Sequence, residues 1–438
     1  MQIATGAQFD PVPQRPCEAG GLRKHSLMWP AYGICCADPP QGLPRDEARM
    51  RTARGVVAGL LTPLVIGGVV TSMPAAADPN IDLTAALDRA IDARVAQLDI
   101  PGAIVGLYIP GQLEYVKTVG VGDTATAVPM LADYHTRIGS VTKTFTGTAV
   151  LQLVDQGRIR LSDPISRYVE GVPSGDDITL DLLGRMRSGL PDFIETDTFM
   201  DRLYSEAPLG PDAFAFTPRQ LVDAAFEQPV NFAPGAQFQY SNTNAVLLGL
   251  VVEKVTGQPL GEYLQQNIFG PLGLAQTSYP SNGVLPGPYT HGYNRASDGT
   301  VYDTALWNPS WGDAAGKIVS TLPDLRVWAA ALGKGTLLQP DTQARRITGG
   351  STLIPGVEYN FASFTVHGWI GHNGDIPGYT TVVVYLPERD ATLVVITNSD
   401  IPEPHAAGQI AYEVTSIATP DHLYEVGPQP PLLMDDEG

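Results

Sequence analysis

Apolar positions along the chain alternate between two periods, and the change from one to the other marks out the elements. Residues 81–98 carry apolar side chains at helical spacing and read as an amphipathic helix. Residues 103–109 and 113–118 then read as two strands of a hairpin turning at Pro110-Gly111. Phe145, Ala149 and Leu153, with Val150 and Val154 beside them, return to helical spacing and predict a helix from Ser140 to about Gln156. The run Ala245-Val-Leu-Leu-Gly-Leu-Val-Val252 predicts a second buried helix. Thr380-Thr-Val-Val-Val-Tyr-Leu386 and Ala391-Thr-Leu-Val-Val-Ile-Thr397 are apolar strand runs, and residues 406–417 close the pattern as a helix. The first and last segments would build one antiparallel sheet flanked by helices. The middle, about 160–310, reads as an inserted, mostly helical subdomain, and the fold class is therefore α/β in the mixed (α+β) sense.

Three polar motifs punctuate this pattern. Ser140-Val-Thr-Lys143 opens the first buried helix, where residues three apart share a face, so the Lys143 amine can lie against the Ser140 hydroxyl. A serine hydroxyl needs such a base to act as a nucleophile, and a helix N-terminus favours the anion that develops on it. Tyr240-Ser-Asn242 follows the turn Phe232-Ala-Pro-Gly235 and precedes the apolar run at 245, which makes it a loop tip before a buried helix. A phenol beside an ammonium can have its pKa lowered and share the base role, and the Asn242 amide can hold both the lysine and a substrate carbonyl. His372-Asn-Gly374 lies on a strand edge leading into a hairpin, where Gly374 would let a substrate backbone approach and His372 could donate a proton or a hydrogen bond. Each motif alone has a bland reading, respectively a solvated helix start, a turn and a structural histidine. Their joint occurrence in this order points to serine acyl transfer.

The segments Arg137-Ile-Gly-Ser-Val-Thr-Lys-Thr-Phe145, Leu151-Gln-Leu-Val-Asp-Gln-Gly157, Phe238-Gln-Tyr-Ser-Asn-Thr-Asn244, Gly270-Pro-Leu-Gly-Leu274, Ala315-Gly-Lys-Ile-Val-Ser-Thr321 and Gly371-His-Asn-Gly374 resemble the serine β-lactamase and penicillin-binding family. The likeness spans roughly residues 80–415 and is strongest to the branch of class C β-lactamases, secreted D-alanyl-D-alanine carboxypeptidases of actinomycetes and related esterases. The resemblance implies that Ser140 is acylated, that Lys143 and Tyr240 share the acid and base work, and that Asn242 binds the substrate amide. It puts His372 where many members carry the lysine of K-T-G, and makes the backbone N–H groups of Ser140 and Asp375 the oxyanion hole. Asn373, Gly374 and Asp375 join Asn242 as the substrate-binding set.

Two features depart from the carboxypeptidase pattern. No Arg or Lys occurs between Arg346 and Arg389, although that branch holds the substrate carboxylate with an arginine shortly before the histidine motif. Asp375 adds a negative charge there, leaving Lys317 and Arg326 as the nearest cations in sequence. The expected order of activities is carboxypeptidase-like peptidase, then esterase or amidase, then β-lactamase. An α/β-hydrolase is set aside because the chain holds no G-x-S-x-G pentapeptide. A non-catalytic binding protein is less expected, since Ser140, Lys143 and Tyr240 are all kept.

Residues 51–77 run from Arg51-Thr-Ala-Arg54 through an apolar stretch to Met73-Pro-Ala-Ala-Ala77, the three parts of a secretory signal peptide. The reading divides the chain into an upstream extension of non-native origin at 1–49, a signal peptide at 50–77, the hydrolase domain at 78–420 and a disordered Pro-rich, acidic tail at 421–438. A native extension with a signal anchor is the other option for the first segment. The enzyme would be secreted, in the periplasm or cell-wall space. Cys17, Cys35 and Cys36 all precede residue 50, so the exported domain has no disulfide. No metal or cofactor motif is present. From Asp78 onward the chain carries 20 basic and 41 acidic residues, a net charge of −21, because seven basic and five acidic residues precede it. Such a surface repels nucleic acid and anionic lipid. The expected partner is a small-molecule or peptide substrate, such as a peptidoglycan stem peptide or a β-lactam, acted on by a monomer.

Overall fold

Strand pairing between the two ends of the domain organises the molecule. In a computed structural model, which describes residues 79–296, 298–401 and 405–427, strand Gly102–Ile109 pairs antiparallel with Ala391–Thr397, from Ala103 opposite Thr397 to Tyr108 opposite Thr392. The expected segments 1–49 and 50–77 and the chain from 428 lie outside the described residues. Among the described residues nine strands form one sheet, every neighbouring pair antiparallel, in the order 128–129, 113–123, 102–109, 391–397, 379–386, 369–376, 364–366, 357–359, 351–354. The short strands Ser351–Ile354 and Val357–Tyr359 carried no legible pattern, being half-polar and only four and three residues long.

The central strands are apolar throughout because both faces of the sheet are covered. All residues of 102–109, 379–386 and 391–397 are buried. On one face lie the helices Pro79–Leu98 and Ala406–Ala418, joined by a buried ion pair between Arg94 and Glu413. Against the other face packs helix Leu322–Lys334, whose Gly333 sits so close to the Tyr385 ring that an added Cβ would lie 2.2 Å from it. Beyond that helix is Thr142–Asp155, with Phe145 stacked on Trp328 at 3.8 Å between ring centroids. Residues 160–310 hold helices and long loops plus one small hairpin, Tyr293–Arg295 with Val301–Asp303.

The packed domain continues past residue 420, where the disordered tail was expected to begin. Tyr424 is 1% exposed, and Trp369 Nε1 donates to the carbonyl of His422 at 2.8 Å.

Strand Trp369–Ile376 lies inside the sheet, yet only its first half is paired on both sides. Strand 364–366 covers residues 369–371, from Val366 opposite Trp369 to Phe364 opposite Gly371. The edge from His372 to Ile376 faces the turn that carries Ser140. Gly374 is glycine for that reason: a Cβ there would lie 2.0 Å from the Ile138 carbonyl oxygen and 2.4 Å from Thr381 Oγ1. This corrects the expectation that Gly374 makes room for a substrate backbone, because the space is taken by the protein's own main chain. Gly374→Ala should destabilise the fold by about 1–3 kcal/mol or more through overpacking against rigid backbone. Urea unfolding checks this, and an unchanged midpoint would mean that the strand and the turn are less tightly apposed than described.

Candidate active site

Ser140 occupies a tight turn because the chain must bend sharply to leave the short strand Thr136–Arg137 and enter the helix. Gly139 has φ +49°, a conformation side chains rarely adopt, and a Cβ on it would sit 2.8 Å from the Asp375 nitrogen. A 3₁₀ turn, Gly139–Val141, then leads into helix Thr142–Asp155. Ser140 is 6% exposed and Lys143, one turn on, only 1%.

Lys143 Nζ lies 2.8 Å from Ser140 Oγ, 2.7 Å from Asn242 Oδ1 and 3.0 Å from the Ala315 carbonyl oxygen. Its ammonium also lies 4.9 Å from the centre of the Tyr240 ring. Burial pushes the Lys143 pKa down from 10.5 to about 7, while the negative charge of Asp192 draws it partly back. The lysine is thus a base available near neutral pH.

Tyr240 behaves oppositely to the expectation. Burial raises its phenol well above the ordinary value, and the hydrogen bond with Ser140 recovers only part of that shift. The negative charges of Asp192 and Asp375 push the same way as burial. The phenol is neutral and can relay or donate a proton, whereas Lys143 is the group that gives one up.

His372 also departs from its expected part. Its Nδ1 contacts the carbonyl oxygen of Asn373, which only accepts, so the proton sits on Nδ1 and Nε2 presents a lone pair. Burial, with Lys143 adding to it, pushes the imidazole pKa down to about 3, leaving the ring uncharged. It cannot supply the positive charge of a K-T-G lysine, nor donate from Nε2. The ring packs among Phe364, Tyr359 and Tyr240, with centroids at 4.8, 5.8 and 6.2 Å.

Strand alternation splits the remaining candidates. His372 and Gly374 face the Ser140 side. Asn373 and Asp375 direct their side chains to the other face, where His405 lies 3.4 Å from Asn373 Nδ2 and 3.2 Å from Asp375 Oδ2. The structure therefore brings together Ser140, Lys143, Tyr240, Asn242 and His372, with the Asp375 main chain alongside, and engages the Asn373 and Asp375 side chains with His405.

Neither cation singled out in the sequence reaches this cluster. Arg326 pairs with Glu114 at 2.8 Å and stacks on Tyr108, while Lys317 lies over the Tyr279 ring beside Asp313 and Glu253. Arg137, three residues before the nucleophile, is buried and donates to the carbonyls of Gly283, Ala305 and Trp307. A small cleft lined by Arg137 with Trp307, Trp311, Ile376 and Pro377 holds none of Ser140, Lys143, Tyr240, Asn242 and His372.

Asp192 escaped the sequence reading. It is 5% exposed, and its Oδ2 accepts from both the backbone nitrogen and the Nδ2 of Asn242 at 2.8 Å. It thereby caps helix Asn242–Thr256 from outside. The available signal was weak: an acid after Gly189-Leu-Pro191 and before apolar Phe193-Ile194, a common N-cap context.

A buried serine, a lysine poised to be neutral, a protonated phenol and close main-chain N–H groups define a serine acyl hydrolase. The chain belongs to the beta-lactamase family, whose sequence profile matches residues 87–414. Among curated relatives, Protein flp of Staphylococcus aureus (strain MRSA252) is 24% identical over 326 residues, 71% of this chain and 62% of that protein. This chain thus spans less than two thirds of that relative's length. A D-stereospecific amidohydrolase from Streptomyces sp. superposes with TM-score 0.67 at 29% identity, covering 77% of this chain and 99% of that one. The D-amino acid amidase from Ochrobactrum anthropi SV3, complexed with L-phenylalanine amide, gives TM-score 0.67 at 29% identity, covering 77% and 97%.

Proposed function

We propose that the protein hydrolyses an amide or ester bond of a D-amino-acid derivative whose C-terminal carboxyl is blocked and whose amine is free, through an acyl-enzyme on Ser140. The observation that carries this reading is the charge of the site. His372 is uncharged, the negative charge of Asp375 is felt at Tyr240 from the far face of its strand, Lys317 and Arg326 lie elsewhere, and Arg137 Nη2 is spent on three carbonyls. A free carboxylate meets repulsion here, while an ammonium is attracted. The Nε2 lone pair of His372 likewise suits an N–H donor. The likeness to two D-specific amidohydrolases supports the same substrate class.

In this mechanism neutral Lys143 takes the Ser140 proton as Oγ attacks the carbonyl carbon. The N–H groups of Ser140 and Asp375 hold the oxyanion, donors of a kind that contribute about 2.7–4 kcal/mol each. Tyr240 passes a proton to the leaving amine or alcohol, and water then frees the acid. A D-alanyl-D-alanine carboxypeptidase is the second reading, favoured by the Ser-Val-Thr-Lys and Tyr-Ser-Asn-Thr-Asn runs. Export rests on residues 50–77 alone.

Intact-mass spectrometry of protein recovered from the culture fluid of an expressing host tests all of this, using D-phenylalanine amide, a D-Ala-D-Ala peptide and a penicillin in turn. The expected result is a mass beginning at Asp78 and release of ammonia from the amide. Release of D-Ala from the peptide with the amide untouched would replace this reading by the carboxypeptidase, and a protein found only inside cells would end the export proposal.

A further inference from the structure

We infer that Asp192 is a positioning residue for the acylation step, fixing the Asn242 amide so that the lone pair of neutral Lys143 faces the Ser140 hydroxyl. The inference rests on the serine-hydrolase reading and follows from which atoms can donate. Asn242 has one carbonyl oxygen and one NH₂ group, and two neighbours compete for them. The Asp192 carboxylate only accepts, and its Oδ2 is 2.8 Å from Asn242 Nδ2, so the NH₂ must turn to it. Oδ1 is thereby committed to Lys143, 2.7 Å away.

The same accounting then applies to the lysine. Neutral Nζ has two N–H bonds and one lone pair. Asn242 Oδ1 and the Ala315 carbonyl, at 2.7 and 3.0 Å, are both acceptors and take the two N–H bonds. The lone pair is left for the third neighbour, Ser140 Oγ at 2.8 Å, whose hydrogen can point to it. Were Asn242 reversed, its NH₂ would oppose the lysine N–H and draw the lone pair away from the serine.

Asp192 is itself held rigid. Oδ1 accepts from the Ile194 nitrogen at 3.3 Å, and the second bond from the Asn242 backbone nitrogen to Oδ2 prevents rotation. The charged and titratable groups around the pair are Tyr240 and His372 beside Lys143, and Glu195 beside Asp192. Burial dominates the titration of every one of them.

The test is Asp192→Asn, with p-nitrophenyl acetate as the acyl probe. Asparagine is as good an N-cap as aspartate, so the bond to Ile194 and the fold should survive, as circular dichroism melting would verify. The variant should lose at least about ten-fold in kcat, with a ceiling near the 10⁴-fold cost of disabling the orienting acid of a serine triad, while KM stays close to wild type. Its acid limb and the ¹³Cε NMR titration of Lys143 should both move to lower pH, because a negative charge that favours the ammonium is gone. A purely structural role predicts a lower melting temperature with neither pH shift. A folded variant with wild-type kcat overturns the inference. The NMR arm needs no turnover: if the wild type cleaves no ester or amide, the hydrolase reading fails separately, and an unmoved Lys143 titration in the variant overturns the inference by itself.

Discussion

Ser140→Ala abolishes acylation, lowering turnover by roughly 10⁶-fold, the scale set by removing the nucleophile from a serine hydrolase in which all members act as a unit. The fold should be untouched. Among the described residues Ser140 Oγ bonds only the side chains of Lys143 and Tyr240, and the turn around it is dictated by Gly139 and by the apposition of Gly374 to Ile138, not by the hydroxyl. The variant should therefore melt with the wild type while failing to gain mass with any acyl donor. Wild-type turnover in a verified alanine variant would remove Ser140 from the mechanism and the acyl-enzyme with it.

Lys143→Arg should be nearly as damaging, with a loss of about 10⁴-fold, the upper end of what a general base contributes. The substitution separates charge from basicity. Arginine keeps a cation near Asp192 and Asn242 but does not deprotonate in a protein, so Ser140 has nothing to receive its proton. In the wild type the base form of Lys143 exists only above its pKa of about 7. As pH falls below that value the ammonium gains a third N–H directed at Ser140, and kcat/KM should drop ten-fold per unit. That limb should vanish from the residual activity of the arginine variant. A wild-type profile flat between pH 5 and 8 would show that the lysine does not titrate where its burial places it.

Much of the fold was legible because local signals agreed with the tertiary outcome. Helix 79–98, the hairpin at 110–111 and the strands at 380–397 all have period and punctuation pointing the same way. The pairing of the first strands with the last follows from both sets being apolar on two faces, which demands cover that neither set has alone. Ser140, Lys143, Tyr240 and Asn242 were legible for a different reason: their spacing sets where they fall on helix starts. What the sequence could not convey were the consequences of burial. The phenol of Tyr240 stays protonated and the ring of His372 stays uncharged because burial dominates in this interior, with the acids around Tyr240 and the ammonium beside His372 pushing the same way. Gly374 was read as space for a ligand when its space belongs to Ile138, a residue over two hundred positions away. Asp192 was invisible because its partner, Asn242, lies fifty residues further on.

Strand 102–109 pairs with its hairpin neighbour 113–123 on one edge but finds its second partner in 391–397, and helix 79–98 rests on 406–418. During synthesis, therefore, the amino-terminal hairpin has to wait for almost the entire chain before its exposed edge is satisfied, and the nucleophile is made long before the strand it packs against. Enzyme activity should switch on late and all at once as the final segment leaves the ribosome. A chain stalled before residue 370 would hold Ser140 and Lys143 with no catalytic power, and with an unpaired apolar edge that invites association with other chains.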